Sequence, residues 1–350
     1  MSWLPCGTYI VRYTQDMAIF RTRPQKIALI LFLIFLFTLP LYSSRYIMTL
    51  ISMIAITVIT VEGLCIVTGH AGQISLGQAA FVGAGAYLCT IFIQKLGLSF
   101  LPAMVCAAIA TGVIGLIFGL SALRVKGFYL AMSTLAAQLI LGWIFLHLHI
   151  TGGTHGLFVE PARIFGFEFS SIQSRYVMVI GITCIMIYFA KNLMRSRLGR
   201  ALVAVRDNDL AAHVMGINVS YYKLVAFFIS TFYAGIAGSL WAHFIGFINP
   251  DQFNLYDSIL YLGMLIIGGM GSIVGPIFGV TFMKVLEEIS IYITPIVDTI
   301  FPAVGAQAFA AASMALYASI IVAFLLLEPR GVNHLWNVLK SRYRLYPFSY

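Results

Sequence analysis

Charged side chains of both signs gather in one stretch, residues 195–218, which reads RSRLGRALVAVRDNDLAAHVMGIN. It holds four arginines, two carboxylates and a closing glycine: Arg195, Arg197, Arg200, Arg206, Asp207, Asp209 and Gly216. Clustered arginines are typical of loops on the cytoplasmic side of a membrane, and glycine commonly ends a helix. We therefore interpret the stretch as a short cytoplasmic helix on which another subunit acts.

The residue patterns of enzymes are missing from the sequence. It contains no recognisable Ser-His-Asp or Cys-His arrangement and no GxxxxGK[ST] phosphate loop. The five cysteines show no CxxC spacing, so neither a metal site nor a disulfide framework is indicated. The chain is predicted not to be an enzyme and to hold no cofactor, so that any ATP and magnesium are bound by partner subunits.

Glu62 is a carboxylate inside the second apolar run of the sequence. An ionisable side chain within a membrane span is a functional-site candidate by default; the alternative is that it snorkels or pairs with a neighbouring helix. The other spans carry no chain of buried Asp, Glu and His, which a proton-coupled pump is expected to show. Both interpretations of Glu62 stay open.

The composition indicates a membrane protein. Hydrophobic residues make up 61% of the 350 positions and charged residues only 9%, which excludes a soluble globular domain. The net charge of +9 lies in loops and tails, where membrane topology and lipid headgroups explain it better than nucleic acid does. We expect an all-α polytopic membrane protein that contacts membrane lipid and binds no nucleic acid.

The number of crossings follows from the lengths of the apolar runs, since a span needs roughly 20 mostly apolar residues. The runs lie near 27–43, 46–67, 76–93, 99–122, 127–149, 176–190, 222–244, 257–300 and 308–327. A break within 257–300 makes that region two crossings, which gives about ten in total. A re-entrant loop with a surface helix is the alternative there, because Lys284, Glu287 and Glu288 lie in the second crossing.

The positions of the basic residues and of the apolar runs divide the chain into three parts. Residues 1–26 are predicted to form a cytoplasmic N-terminal tail, 27–329 the transmembrane domain, and 330–350 a cytoplasmic C-terminal tail. Within the transmembrane domain, the loop 191–221 is expected on the cytoplasmic side.

Two glycine-rich breaks interrupt apolar runs, one in each half of the chain. They read GHAGQISLGQ at 69–78 and GGMGSIVGP at 268–276. Unwound segments free backbone groups that protein, water or a solute must satisfy, so paired breaks indicate a transport pathway; close packing of helices is the alternative. The pathway candidates are Glu62, Gly69, Gly72, Gln73, Ser75, Gly77, Gln78, Gly268, Gly269, Gly271 and Gly275.

Four blocks of the sequence resemble the LivM-type permeases of branched-chain amino-acid ABC importers, the LivH/LivM permease family. The blocks are GHAGQISLGQAAFVGAGAY at 69–87, GRALVAVRDNDLAAHVMGINVSYYKLVAFFIS at 199–230, IIGGMGSIVGPIFG at 266–279 and EPRGV at 328–332. The resemblance covers most of residues 60–332, and the blocks follow the order found in the family.

The resemblance implies a subunit of an ATP-driven importer in the bacterial inner membrane that works by alternating access. It implies two ABC ATPase subunits, a second LivH-type permease and a periplasmic solute-binding protein as partners. Residues 199–218 would then insert into a groove on an ATPase, with small residues permitting close docking and charged residues forming orienting ion pairs. The implied coupling residues are Arg200, Arg206, Asp207, Asp209, Ala211, Ala212 and Gly216.

The sequence departs from the common family pattern at Ala137-Gln138, at Thr154-His155 and at Glu62. These departures leave the substrate open: branched-chain amino acids are the default, and other amino acids, urea, short amides and aromatic carboxylates are alternatives. An ion- or proton-coupled secondary transporter that uses Glu62 without an ATPase is the alternative function. A channel ranks third, because neither a polar filter nor a ring of charges is recognisable.

Overall fold

The computed structural model describes residues 23–125, 127–164, 166–300, 317–323, 326 and 331–345. Most of the predicted N-terminal tail 1–26 lies outside the described residues. So do more than half of the predicted span 308–327 and the Glu328–Arg330 part of the last family block.

Helices dominate the described chain. They are α1 (Arg23–Thr38), α2 (Arg45–Leu64, continued by a π-helical segment Cys65–His70), α3 (Gln78–Leu96), α4 (Phe100–Gly119), α5 (Phe128–His147), α6 (Ile172–Arg195), α7 (Arg197–Asp207), α8 (Asp209–Val214), α9 (Val219–Ile245), α10 (Leu255–Gly268), α11 (Gly275–Ile300) and α12 (Val332–Leu345). Residues 317–323 are also helical.

Six of these helices are long and apolar enough to cross a membrane: α2 with its π-helical continuation, α3, α4, α5, α6 and α9. They coincide in order with the predicted runs from 46–67 to 222–244, so the helical polytopic class is confirmed. The shorter apolar helix α1 turns large side chains outward, and Ile30, Leu31 and Phe35 are 55%, 60% and 62% exposed. Such a face is stable against lipid chains rather than water.

The centre of the bundle is α9, which packs against α2, α3 and α4. Over their most apolar stretches, α9 is 67% buried and its neighbour α2 78%, against 33% for the peripheral helix α6. Small residues allow the close approach: Gly235 of α9 faces Gly85 of α3, and the two backbones are in direct contact. Without a hydrophobic driving force between helices in lipid, such close packing supplies much of the association energy.

Two short antiparallel ladders, each of two-residue strands, accompany the helices. The strands are β1 (Leu157–Phe158), β2 (Arg163–Ile164), β3 (Phe167–Glu168) and β4 (Phe247–Ile248), with β1 paired to β4 and β2 to β3. The β1–β4 ladder joins the loop after α5 to the chain leaving α9. That pairing depends on how the helices bring two distant loops together, and a local sequence pattern does not reveal it.

The predicted break in the second half is confirmed. Helix α10 ends at Gly268 and α11 begins at Gly275, and Phe278 of α11 packs on Trp336 of α12 with ring centres 5.6 Å apart. With 14 residues, α10 is about 21 Å long, which is shorter than the hydrocarbon thickness of about 30 Å.

Candidate functional site

The first break starts where α2 widens into the π-helical segment and ends where α3 begins. The chain turns at Gly72, whose φ of 69° favours glycine, and the backbone N–H of Gln73 donates to Val67 O at 2.9 Å. Thr68 Oγ1 donates to Gln73 O at 3.1 Å. The freed backbone groups here are thus partly satisfied by the preceding helix.

Polar side chains from other helices satisfy the N-terminal end of α3. Gln138 of α5 accepts the N–H of Ala80 through Oε1 at 2.8 Å, and Ser258 of α10 accepts the N–H of Ala79 through Oγ at 2.9 Å. Gln138 also donates from Nε2 to Phe253 O at 2.7 Å. The first four N–H groups of a helix have no partner within it, so these bonds act as caps supplied by neighbouring helices.

Gln138 therefore has a structural role, although the sequence marked it only as a departure from the family pattern. It is 3% exposed and joins α3, α5 and the segment before α10. Thr154 and His155, a second departure from the family pattern, lie exposed in a short 3-10 turn after α5.

The second break lies directly on the first. A Cβ atom at Gly69 would lie 2.6 Å from the backbone nitrogen of Gly271, so no side chain fits between the two segments. Cys65 Sγ donates to Ser272 O at 3.6 Å across the same contact. The sequence predicted one break in each half, and the structure brings the two together.

The remaining glycines of the second break serve mainly close packing. Gly268 faces the carbonyl of Gly275, so the end of α10 and the start of α11 touch through their backbones. Gly269 turns the chain with a φ of 106°, and Gly331, just before α12, packs on it. Gly77 in the first break likewise lies against the carbonyl of Thr134.

Arg206, at the end of α7, connects the charged loop to these breaks. Its Nη1 donates to the carbonyl oxygen of Gly69 at 2.9 Å, while Nε and Nη2 donate to Asp207 Oδ1 at 2.9 and 2.8 Å. The stem of Arg206 lies against Gly72, and its guanidinium lies beside Gly271. The side chain of Arg206 is therefore directed inward, toward the two breaks.

The other charged coupling candidates surround Arg206. Arg200 is exposed and donates from Nη1 to the carbonyl of Arg195 at 3.0 Å. Asp209 pairs with Lys223 of α9 at 3.9 Å, which ties α8 back to the bundle. These residues hold the orientation of α7 and α8 relative to the spans.

The short helix α8 presents an apolar tip that the sequence analysis did not single out. Leu210, Val214 and Met215 are 75%, 85% and 81% exposed, which is unusual for large apolar side chains in a polar loop. Ala211 is exposed beside them, whereas Ala212 is 4% exposed and packs inside the chain. Their apolar character within the charged stretch is the signal that identifies them.

Gly216 follows the apolar tip with a φ of 82° and has open space around it. Its conformation, rather than close contact within the chain, requires glycine there. Asn208 caps α8 by accepting the N–H of Ala211 at 3.1 Å. The predicted short helix closed by Gly216 is thus present.

A cavity of about 350 Å³ lies beside the contact of Arg206 with Gly72 and is lined by both the charged loop and the first break. Gly72, Gln73 and Arg206 line it, together with Asn208 and Lys223. Gln73 is 3% exposed, and neither atom of its amide has a hydrogen-bond partner among the described residues. An unpartnered buried amide is costly, so Gln73 fits a cavity-lining role better than a packing role.

Gln78 and Ser75 are buried in the protein. Gln78 donates from Nε2 to Thr60 O at 3.2 Å and to Ser230 O at 3.5 Å, and accepts the hydroxyl of Ser230 at 3.3 Å. It thereby joins α2, α3 and α9 instead of lining the cavity beside the charged loop. Ser75 is 2% exposed in the extended segment before α3.

Glu62 lies in the core of α2 and is 1% exposed. Both of its carboxylate oxygens are buried without a hydrogen-bond partner in the part of the chain that the structure describes. Lys191 of α6 is the positive charge that acts on it electrostatically. The snorkelling alternative is wrong, because the carboxylate does not reach the surface.

Metal chemistry finds no support in the described residues, where no group of three or more His, Cys, Asp and Glu could hold an ion. The four described cysteines, Cys65, Cys89, Cys106 and Cys184, are free thiols.

Comparison with known proteins places this architecture in a family. Residues 46–327 match the family model described as branched-chain amino acid transport system, permease component. The high-affinity branched-chain amino acid transport system permease protein LivM of Salmonella typhimurium is 29% identical over 293 residues, covering 77% of this chain and 69% of that protein. LivM of Escherichia coli matches to the same extent.

A relative with a different named solute also matches. The galactose/methyl galactoside import permease protein MglC of Haemophilus influenzae is 27% identical over 264 residues, covering 69% of this chain and 76% of that protein. The region matched by the family model contains both glycine breaks and the charged loop. It also contains the six candidate membrane spans, except for Arg45, the first residue of the first span. The chain is therefore a member of the permease-component family of branched-chain amino acid transport systems.

Proposed function

We propose that this chain is the membrane-spanning permease subunit of an ATP-driven ABC importer of branched-chain amino acids or related small polar solutes. The family supports a transport role. The observation that carries the proposal for this chain is the hydrogen bond from Arg206 to Gly69, because it links an exposed charged loop to both interruptions of the spans.

The loop acts as the lever of the mechanism. An ATPase subunit docks on α7 and α8, burying the exposed tip formed by Leu210, Val214 and Met215. ATP binding and hydrolysis in that subunit shifts α7, and Arg206 transmits the shift to the first break and, through its contact with Gly69, to the second. The pathway alternates between outward and inward access as helices move around these segments.

The assembly contains two ATPase subunits that bind ATP and magnesium, a second LivH-type permease and a periplasmic solute-binding protein. The chain lies in the bacterial inner membrane with about ten crossings, two of them in 257–300, and both termini in the cytoplasm. The basic residues of the loop and of α12, including Lys340, Arg342 and Arg344, support that orientation through the positive-inside rule.

The decisive experiment is purification of the tagged chain from its native membrane in mild detergent, with mass spectrometry of the co-purifying proteins. We expect a P-loop ATPase and a second permease. After reconstitution in liposomes with the binding protein, uptake of radiolabelled L-leucine should require ATP. Recovery of the chain alone in a transport-competent form would overturn the proposal.

A secondary transporter is the second candidate. The observation that favours it is the buried carboxylate of Glu62, which has no hydrogen-bond partner among the described residues. The substitution Glu62→Gln distinguishes the two. An ATP-driven importer is expected to keep its uptake, whereas a proton-coupled transporter would lose uptake that also disappears when the proton gradient is collapsed.

A further inference from the structure

A second cavity, which we name the charged cavity, lies among α2, α3, α9, α10 and α11. Its volume is about 350 Å³, within the range of about 300–1,000 Å³ typical of small-molecule sites. Its polar lining includes Thr57, Thr60, Gln252, Asp257, Lys284 and Glu287. None of these residues belongs to the breaks or to the charged loop.

The charges of this cavity do not cancel. Lys284 Nζ and Glu287 Oε2 form an ion pair at 2.6 Å, which neutralises both. The carboxylate of Asp257 is hydrogen-bonded by the backbone of Asn254 and is attracted by Lys284 at longer range, while its own backbone N–H donates to Asn254 Oδ1 at 3.0 Å. Glu288, the next residue along α11, accepts a hydrogen bond from Tyr46 and is not part of the lining. Among the described residues that line the cavity, two carboxylates and one ammonium group leave one negative charge.

The threonine hydroxyls add acceptors of the same kind. Thr57 Oγ1 donates its proton to Met53 O at 2.8 Å and Thr60 Oγ1 donates to Ile56 O at 3.3 Å. A hydroxyl that has given its proton to its own helix keeps lone pairs for an incoming donor. The cavity therefore offers acceptors to a ligand that brings N–H groups and positive charge.

Apolar walls complete the lining. Ile56 and Met264, both buried in the core, face the cavity, as does Leu260 on the turn of α10 after Asp257. A charged group in an apolar bundle is expensive and is by default a functional-site candidate. An aliphatic amino acid matches this combination, since it pairs an ammonium group with an apolar side chain.

We propose that the charged cavity is a subsite for the ammonium group of the transported solute, with Asp257 as its counter-charge. The inference rests on the proposed function and narrows its substrate class. An amino acid brings a positive charge for Asp257 and a carboxylate that Lys284, the cation of the described lining, would face. An aromatic carboxylate, urea and short amides bring no positive charge.

The charge preference is testable with small thiol reagents on the full complex, independently of any substrate. Met53→Cys places a reporter in the lining, in a chain whose Cys6, Cys106 and Cys184 are replaced by serine; Cys65 and Cys89 are buried. The probes are cationic 2-aminoethyl and anionic 2-sulfonatoethyl methanethiosulfonate. Ser220→Cys on the exposed start of α9 supplies the reference ratio of their rates.

Relative to that reference, we expect the cationic reagent to react at least about tenfold faster at the reporter, and Asp257→Asn to remove most of the preference. If neither reagent reacts, the cavity is closed to solutes and the proposal is overturned. Equal rates, or a faster anion, overturn it as well. Even if Asp257→Asn does not fold, the ratio of cationic to anionic reaction rates in the chain that retains Asp257 tests the proposal.

Uptake by the reconstituted complex gives the second readout. At limiting L-leucine, Asp257→Asn should lower ATP-dependent uptake at least about tenfold, as expected for loss of a partially buried charge partner. Asp251→Asn is the matched control, because that exposed carboxylate lies six residues earlier and outside the cavity. Unchanged uptake by Asp257→Asn overturns the subsite while leaving the importer intact. If the wild-type complex shows no ATP-dependent uptake, the proposed function fails instead, and the thiol rates still report the charge of the cavity.

Discussion

Arg206 Nη1 donates a hydrogen bond to the backbone carbonyl of Gly69 across 2.9 Å, and Gly69 in turn touches Gly271. Arg206 of the charged loop is therefore hydrogen-bonded to the first break, and the residue that it binds touches the second break. Since backbone carbonyls in unwound segments need partners in a membrane protein, this bond both satisfies Gly69 and fixes the loop against the spans.

Removal of that bond should separate ATP hydrolysis from transport. We expect Arg206→Ala to lower uptake by the reconstituted complex at least about tenfold while ATPase activity persists, because a hydrogen bond to a charged group contributes about 1.5–3 kcal/mol. The measurement is uptake per ATP hydrolysed. Arg197→Ala, which removes an exposed arginine from the same helix, should leave the ratio unchanged. Equal ratios for both variants would show that Arg206 does not transmit motion.

The apolar tip of α8 should control ATPase docking. Leu210→Asp is expected to weaken co-purification of the ATPase about tenfold or more, because burying a leucine contributes about 1.5–3 kcal/mol. The thermal stability of the isolated chain should hardly change, since Leu210 is 75% exposed. Leu96→Asp at the far end of α3, where the leucine is 64% exposed, serves as the control. Normal ATPase recovery with Leu210→Asp would place the docking surface elsewhere.

The contact between the two breaks should not tolerate a side chain. Gly69→Ala would place its Cβ 2.6 Å from the backbone nitrogen of Gly271, and we expect a loss of about 1–3 kcal/mol of stability together with reduced uptake. Gly142→Ala is the matched control on helix α5, because nothing lies within 4 Å of the added atom. A helical alanine there should be neutral or stabilising. Melting temperatures in detergent compare the two variants, and equal values would contradict the close contact.

Gln138 should behave as a structural residue. Gln138→Leu removes the acceptor of Ala80 N–H and the donor to Phe253 O, and leaving these groups buried costs about 1–3 kcal/mol each. We expect a clear drop in melting temperature. Gln94→Leu is the control, because Gln94 is exposed on α3 and bonds only Phe158 O within the described chain. A drop as large for Gln94→Leu would mean that Gln138 has no special role as a cap.

The local sequence already contained the membrane class, the positions of most spans and the places where two of them break. Apolar length and glycine content are properties of neighbouring residues, and the bilayer turns them directly into helices and interruptions. The family resemblance is confirmed by the match over 46–327, which contains the first three of the four blocks. The roles of the coupling and pathway residues stay predictions.

Only the tertiary structure decided which of those residues meet. Arg206 turns inward to Gly69. The amide of Gln78 is hydrogen-bonded to Thr60 and Ser230. Gln138 caps a helix that begins 60 residues earlier in the chain. The charged cavity likewise joins residues of α2 and α10 that lie far apart in sequence. Such contacts depend on how helices rotate and pack against one another, and the hydrophobic pattern of a single helix fixes only its lipid-facing and buried sides.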